Sequence, residues 1–422
     1  MKKNGNTGVL LALMFIAFPL RESVALMLGE STPMRIGEIL MGFCPLFYIL
    51  ASETYDVRNR RASTLLFIFL SYSFLFGVLF ADYLRAEFAI KYFVRGALFL
   101  YLVKLAEDKV IDISDGFVET LFKYTVIVES FFCFLQLFGY TILYSKFGEY
   151  TIPATYGIIQ RLSGTASEPG YLIPILTPCI YFFVSDFRKY KFWAITAFAM
   201  VFLTFSSFGY VAVLIVILLK ILVKNRSNFI RYTIYSALSL SLIVAVSSQV
   251  FPQVGEVYDT LTAKVLAFTS MNEDEMDYSG AERTENLIVA SEAFLEGDVL
   301  QKLLGQGIGA TAYHTNNNVV IYEPAEEANN IYLSVLVNQG VLGLLILLML
   351  FMAVYRQIVK DNVASMAFFS GFITQVLQYF IVGNLWLYFF WYYIFFIIAI
   401  NRQTTNILQQ NQTVTSNDSL DM

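Results

Sequence analysis

The chain carries its candidate chemistry in short polar stretches set between long apolar runs. Residues 161–170 read RLSGTASEPG, which is Arg161-x-x-Gly164 followed by Glu168, Pro169 and Gly170. A guanidinium stays charged and grips phosphate oxygens in pairs, a glycine lets backbone turn close to a substrate, and a carboxylate can orient the arginine or take a proton. A second cluster is Gly280-Ala-Glu-Arg283, then the helical-looking ENLIVASEAFLEG, then LLGQGIGA at 303–310. A third, EEANNIYLSVLVNQGVLGLL at 326–345, places Glu326, Glu327, Asn329, Asn330 and Tyr332 ahead of Gly340 and Gly343. Inside the apolar runs, Glu87, Lys91 and Arg95 recur every four residues and so share one helix face. Arg21 and Glu22 stand side by side, Glu129 lies mid-run, and Gln375 and Gln378 share a face. Charges at membrane depth cost on the order of 2.5–3.5 kcal/mol each on insertion scales. Such groups either pair and orient helices, which suits Glu87 and Arg21–Glu22, or project into a cavity. Lys91 and Arg95 suit a cavity that holds a phosphate, with Glu129 a partner for Arg95.

Two other signals are weaker than they look. GQGIG has the outline of a dinucleotide loop but follows no predicted strand, so a sharp backbone turn is the better account. His314 is the single histidine, without Cys or carboxylate at ligand spacing, and makes no metal site; a loop histidine of this kind is expected to be exposed. Cys44, Cys133 and Cys179 all fall in apolar runs and read as small core residues rather than a disulfide framework.

The elements that must position these residues follow from composition. The chain of 422 residues is 57% hydrophobic and only 14% charged, against about 25% charged in an ordinary soluble protein. Its recurrent apolar runs suit an all-α integral membrane protein, a polytopic bundle of about twelve transmembrane helices. The spans are expected near 8–28, 36–52, 62–81, 86–106, 117–140, 167–186, 191–206, 208–224, 231–251, 331–355, 363–383 and 385–401. The TFSSFG stretch is read as a hinge between two short helices. The first run lacks a small-residue cleavage site and reads as a span rather than a signal peptide. MKK at the start, DVRNRR at 56–61, FRKYK at 187–191, KNRSNFIR at 224–231 and YRQIVK at 355–360 all fall on one side of this alternation, the cytoplasmic side by the positive-inside rule. Both termini are then cytoplasmic. Residues 1–251 hold spans one to nine, including an external joint at 141–165; 252–330 form a large extracytoplasmic loop; 331–402 hold spans ten to twelve; 403–422 form a disordered tail.

In order, these segments are Arg161-x-x-Gly164 in an external joint, a long outer loop with Arg283 and a Leu-Leu-Gly-x-Gly-x-Gly, then Asn330-x-Tyr332-Leu333 and Gly340-x-x-Gly343 entering a span. The arrangement resembles the O-antigen ligase/polymerase superfamily, integral-membrane GT-C glycosyltransferases that include Wzy-type repeat-unit polymerases and lipopolysaccharide ligases. The resemblance covers roughly residues 155–350. Ligases usually carry a histidine where this chain has Asn329, and often a glutamate where it has Asn338. An amide cannot act as general base at neutral pH, so the departure favours a polymerase and leaves the base unassigned.

The resemblance implies a bacterial inner-membrane enzyme that joins glycan repeat units carried on undecaprenyl diphosphate into O-antigen, capsule or exopolysaccharide. It implies inversion at the anomeric carbon, with no metal, nucleotide sugar or other cofactor. Donor and acceptor are both lipid-linked glycans; membrane lipid surrounds the site, a flippase and a chain-length regulator are the expected partners, and no nucleic acid is involved. By motif position Arg161 and Arg283 hold the departing diphosphate, with Lys91 and Arg95 as further cations. Glu327, Glu326 and Glu168 are the candidate bases, Glu327 first because it lies two residues before Asn329. Glu168 is equally a partner that orients Arg161. Gly164, Asn329, Asn330 and Tyr332 are placed at the substrate, although Tyr332 also suits packing at a membrane interface. Two other functions compete: a ligase transferring finished glycan to a lipid or protein, and a lipid-linked oligosaccharide flippase. A transporter should show internal repeats and little external mass, and neither is seen here.

Overall fold

A computed structural model describes residues 5–19, 25–28, 32–35, 43, 61–79, 86–109, 111–138, 155–156, 159–160, 162–166, 169–204, 206–224, 278–319, 329–381, 385 and 388–418. These residues are helical apart from two small antiparallel hairpins, as suits a helical membrane protein. Helix α1 (Gly5–Ala17) stops well short of the span expected at 8–28. Pro19 disfavours helix at the residue before it, and the charged pair Arg21–Glu22 follows. The chain then pairs β1 (Ala25–Leu28) with β2 (Thr32–Arg35).

Helices α2 (Arg61–Leu79), α3 (Ala86–Asp108) and α4 (Asp115–Leu137) come next, then a two-residue pair, β3 (Thr155–Tyr156) with β4 (Ile159–Gln160). Helix α5 (Pro169–Ser185) begins on its proline, which suits a first helical position because the missing N–H would be unpaired there. Helices α6 (Phe187–Leu203) and α7 (Ser207–Lys224) meet at the expected TFSSFG hinge. A three-helix unit follows: α8 (Tyr278–Glu296), α9 (Val299–Leu304) and α10 (Ala310–Asn318). The last three helices are α11 (Ile331–Tyr355), α12 (Val363–Gln378) and α13 (Tyr388–Asp418). Helix α13 runs through most of the tail expected to be disordered. The spans expected at 36–52, apart from Phe43, and at 231–251 lie outside the described residues.

Among the described residues, α11 alone is both long and apolar enough to cross a membrane; Gly8–Ala17, Arg61–Phe76, Pro169–Ser185, Phe208–Lys220 and Val363–Gln378 are apolar but shorter. The run Phe389–Ile400 of α13 is buried on every side, the mark of a central helix. Trp391 stacks on Phe99 of α3, with ring centroids 5.0 Å apart. Helix α4 does the opposite. Its Ile127, Phe131, Phe134 and Phe138 are each more than half exposed, an apolar stripe that suits lipid and not water.

Helix α5 carries two internal prolines, Pro174 and Pro178. Each removes the N–H that would have reached the carbonyl four residues earlier. Both orphaned carbonyls are taken by neighbours. Gln378 of α12 donates to the Gly170 oxygen at 2.9 Å, and the Tyr393 hydroxyl of α13 donates to the Pro174 oxygen at 2.7 Å.

Polar contacts sort to the two ends of the bundle. At one end, Glu107 accepts from the backbone of Ala62 and Ser63, capping α2, while Glu119 gathers Lys123, Lys189 and the Tyr190 hydroxyl. Gln403 joins Asp112 and Ile113 at the same end. At the other end, the Leu162–Ala166 turn meets the ends of α1, α4 and α6, and Ile331 bonds Tyr379.

Candidate functional site

The residues that follow Arg161 form a tight buried turn, and α4 holds it. Gln136 is fully buried at the next-to-last position of α4. Its Oε1 accepts from the backbone nitrogens of Ser163 and Gly164 at 3.0 and 3.1 Å. Its Nε2 donates to the Gly164 carbonyl at 2.9 Å and to the Ser163 hydroxyl at 3.1 Å. Two turns below, Glu129 accepts from the backbone nitrogen of Thr165 and contacts its hydroxyl, both at 2.8 Å. The same hydroxyl lies 2.6 Å from the Pro19 carbonyl, and the Leu162 nitrogen donates to the Leu203 carbonyl at 3.0 Å. Glu129, expected as a partner of Arg95, takes part in holding this turn.

Gly164 has φ +59, and a Cβ there would run into the Glu129 carboxylate. Its N–H and C=O are both spent on Gln136. The glycine is thus required by the close approach of Glu129 within the turn. Gln136 was missed in the sequence, yet it had a signal: Glu129, Cys133 and Gln136 are spaced to share one helix face in an otherwise apolar run.

The three-helix unit of α8, α9 and α10 docks through backbone. Gly305, Gly307 and Gly309 all have positive φ, so GQGIG is a turn, as expected from its residues. It lies against a break in α11 at Gly340, φ +67, where a Cβ would stand 2.5 Å from the Gly305 nitrogen and the Leu303 oxygen. Gln306 and Gly307 donate their backbone N–H groups to the carbonyls of Val337 and Asn338, at 2.8 and 3.0 Å. Asn338 Oδ1 accepts from the Thr311 nitrogen at 2.9 Å, at the start of α10. From α2, the Tyr72 hydroxyl reaches the carbonyls of Leu304 and Gln339. Gln306 ties the unit together: Nε2 donates to Ala293 of α8 at 2.7 Å, and Oε1 faces His314 Nε2 at 2.7 Å. Because the Gln306 amide nitrogen is committed to a carbonyl, its oxygen must accept, and His314 carries its proton on Nε2. His314 is therefore a half-buried structural group rather than the exposed side chain expected, and burial pulls its pKa below the ordinary histidine value.

At the head of α11, Asn329 adopts φ 51 and Asn330 caps the helix, accepting from the Leu333 nitrogen at 3.1 Å and donating to the Phe380 carbonyl at 3.2 Å. The Tyr332 hydroxyl donates to the Val376 carbonyl at 2.6 Å. Asn330 and Tyr332 thereby pin α11 to the end of α12.

Arg283 lies partly exposed on α8, and Arg95 partly exposed on α3. Glu87 and Lys91 fall within α3 at the helical spacing expected. Arg161, Glu168, Glu326 and Glu327 lie outside the described residues. Among the described residues, Thr374 Oγ1, both polar atoms of the Gln375 amide and Gln378 Oε1 are buried on α12 and find no partner. Among the described residues no three His, Cys, Asp or Glu side chains gather as metal ligands.

The O-antigen ligase family model matches residues 192–348, from within α6 to the middle of α11. The match supports membership of the O-antigen ligase/polymerase superfamily. No curated protein matches the chain. The superfamily comprises bacterial inner-membrane enzymes of the glycosyltransferase type that act on lipid-linked glycans. Arg283, the GQGIG turn, Asn329, Asn330, Tyr332 and the Gly340 break fall inside the matched segment, and the Gln136-held turn falls before it.

Proposed function

We propose that this protein is a polymerase that joins oligosaccharide repeat units carried on undecaprenyl diphosphate, at the outer face of the bacterial inner membrane, in a bundle of about twelve spans. The observation that carries this reading is the seam between GQGIG and Asn338–Gly340. It brings two motifs, 33 residues apart at Gly307 and Gly340, into backbone contact and so presents the helix of Arg283 beside the head of α11. In the reaction the acceptor sugar hydroxyl attacks the anomeric carbon of the donor. The carbon–oxygen bond to the diphosphate breaks with inversion, the hydroxyl proton passes to a base, and lipid diphosphate leaves. The costly event is the further negative charge that develops on the departing diphosphate, and guanidinium groups stabilise it by paired, charge-assisted hydrogen bonds. Arg161 and Arg283 take that role, with Lys91 and Arg95 as further cations. Glu327 is the base, with Glu326 and Glu168 as the alternates.

The polymerase branch is preferred over the ligase branch because Asn329 and Asn338 stand where ligases usually carry a histidine and a glutamate. Asn338 here caps the start of α10 instead. Deletion of the gene should leave single repeat units on the cell surface and abolish long chains, read on a silver-stained or immunoblotted polysaccharide gel. Undiminished polymer would end the polymerase reading; loss of attachment to the final acceptor with free polymer remaining would favour the ligase. Arg161→Ala and Arg283→Ala should each reproduce the deletion while the protein still inserts.

A further inference from the structure

We propose that α9 and the end of α8 are seated inside the bilayer, in the half nearer the head of α11, with Leu295, Val299, Leu300 and Leu303 against lipid acyl chains. From sequence, residues 252–330 were expected to lie wholly outside the membrane. Only the membrane setting enters here; the reaction does not. The four side chains are 66%, 84%, 53% and 44% exposed. Clustered apolar exposure of this kind marks contact with a partner or a membrane.

The place where α9 docks decides which. Helix α11 is long and apolar enough to cross a membrane, and α9 packs against its interior rather than its end. Gly305, just past α9, meets Gly340, which lies about 13 Å along α11 from Ile331. A second contact gives a similar depth. The Tyr72 hydroxyl holds the Leu304 carbonyl at 2.9 Å, and Tyr72 lies about 16 Å from one end of α2 and about 10 Å from the other. In a hydrocarbon core of about 30 Å, a helix docked at those positions lies below the headgroups. The two helices it docks on expose apolar side chains near the same level, Phe74 and Leu75 of α2 and Leu342 and Leu345 of α11.

Backbone polar groups in lipid must be met within the protein, and α9 is closed in that way at both ends. At its start, Asp298 Oδ1 accepts from the Gln301 N–H at 2.7 Å, and Gln301 Oε1 accepts from the Asp298 N–H at 3.0 Å. At its end, Tyr72 takes the Leu304 carbonyl, and the Gly305 N–H donates to the Gln301 carbonyl at 2.7 Å. The exposed acids Glu292, Glu296 and Asp298 gather around Gly297, where a Cβ would stand 3.3 Å from Gln306 Nε2. Gln306 bonds Val337, nearer the head of α11, whereas the Leu303 carbonyl stands against Gly340 itself. The acids thus lie toward the headgroups and Leu303 away from them.

The test is fluorescence quenching on the full-length protein in phosphatidylcholine liposomes. Val299→Trp and Leu303→Trp place an indole on the proposed face, and Glu292→Trp places one toward the headgroups; emission of the unsubstituted protein is subtracted. Val299→Trp and Leu303→Trp should emit at shorter wavelength than Glu292→Trp. They should lose intensity in lipid brominated along its acyl chains and keep it when iodide is added to the buffer. Glu292→Trp should respond to iodide. Leu300→Trp reports the same face if either of the first two variants fails to insert. Quenching of Leu303→Trp by iodide, with no response to brominated lipid, places the face in water and overturns the proposal. A response to neither quencher also overturns it, because protein then covers the face.

Discussion

At the scale of the residue, the turn after Arg161 shows how a single missing Cβ organises a site. Gly164 stands at φ +59 with the Glu129 carboxylate against it. Alanine in that left-handed conformation costs roughly 1–2 kcal/mol before any collision is counted. Gly164→Ala should therefore lower the melting temperature of the purified protein and the activity with it. Gly170→Ala is the control: its Cβ would meet Gln378 Nε2 at 3.8 Å and Ser206 Oγ at 3.9 Å, ordinary contacts, and should be tolerated. A wild-type melt for Gly164→Ala would mean that Glu129 does not hold the turn. Gln375 makes the opposite case. Its amide is buried and bonded to none of the described residues, and a buried polar group left unpaired costs about 1–3 kcal/mol. Gln375→Leu should leave the melting temperature unchanged or raise it. A clear fall would show that the amide binds something in the working protein.

At the scale of the element, α5 is a helix whose broken hydrogen bonds are mended from outside. Pro174 and Pro178 orphan the carbonyls of Gly170 and Pro174, and Gln378 and Tyr393 supply the donors. This fixes α5 against α12 and α13 in one register, directly behind the 162–166 turn. Tyr393→Phe removes one donor and should destabilise by about 1 kcal/mol, since helix–helix hydrogen bonds in membrane proteins rarely contribute more. In a Pro178→Ala background the restored backbone N–H can take the Pro174 carbonyl, and the cost of Tyr393→Phe should shrink. Thermal melts of the four proteins read the coupling; additivity would show that the hydroxyl has no special partner in that carbonyl. Helix bounds of this kind were legible in the sequence at Pro169, at the TFSSFG hinge and across 331–355, where apolar runs meet sharp breakers. The end of α1 was not, because apolar residues resume at Val24 and the span was read across Pro19 and Arg21–Glu22. Gln136 was overlooked because an isolated glutamine in an apolar run becomes meaningful only when the turn it grips is seen.

At the scale of the whole molecule, the unit of α8, α9 and α10 is fastened to the bundle by the backbone of a glycine-rich turn, and Gln306 ties its helices together. The sequence showed the glycines and their turn but not the partner, since the Gly340 break lies within a run that reads as one uninterrupted helix. It also suggested an exposed His314, whereas the side chain is half-buried between Gln306 and α8. That placement makes the unit sensitive to acid. Burial lowers the pKa of His314, with the Glu296 carboxylate opposing the shift in part. A group whose folded pKa lies below its unfolded value, about 6.5, favours the fold most when neutral. The contribution is fully present above about pH 6.5 and is lost as pH falls through the lower, folded pKa. Amide protection in α8, α9 and α10 should therefore be constant from pH 8 to 7 and weaken as pH falls below about 6.5, while that of α13 stays level. His314→Gln retains a donor toward Gln306 without a titrating ring, and should flatten the dependence over that window. If the variant loosens with acid as much as the wild type, the sensitivity lies in other groups and His314 is a packing residue alone.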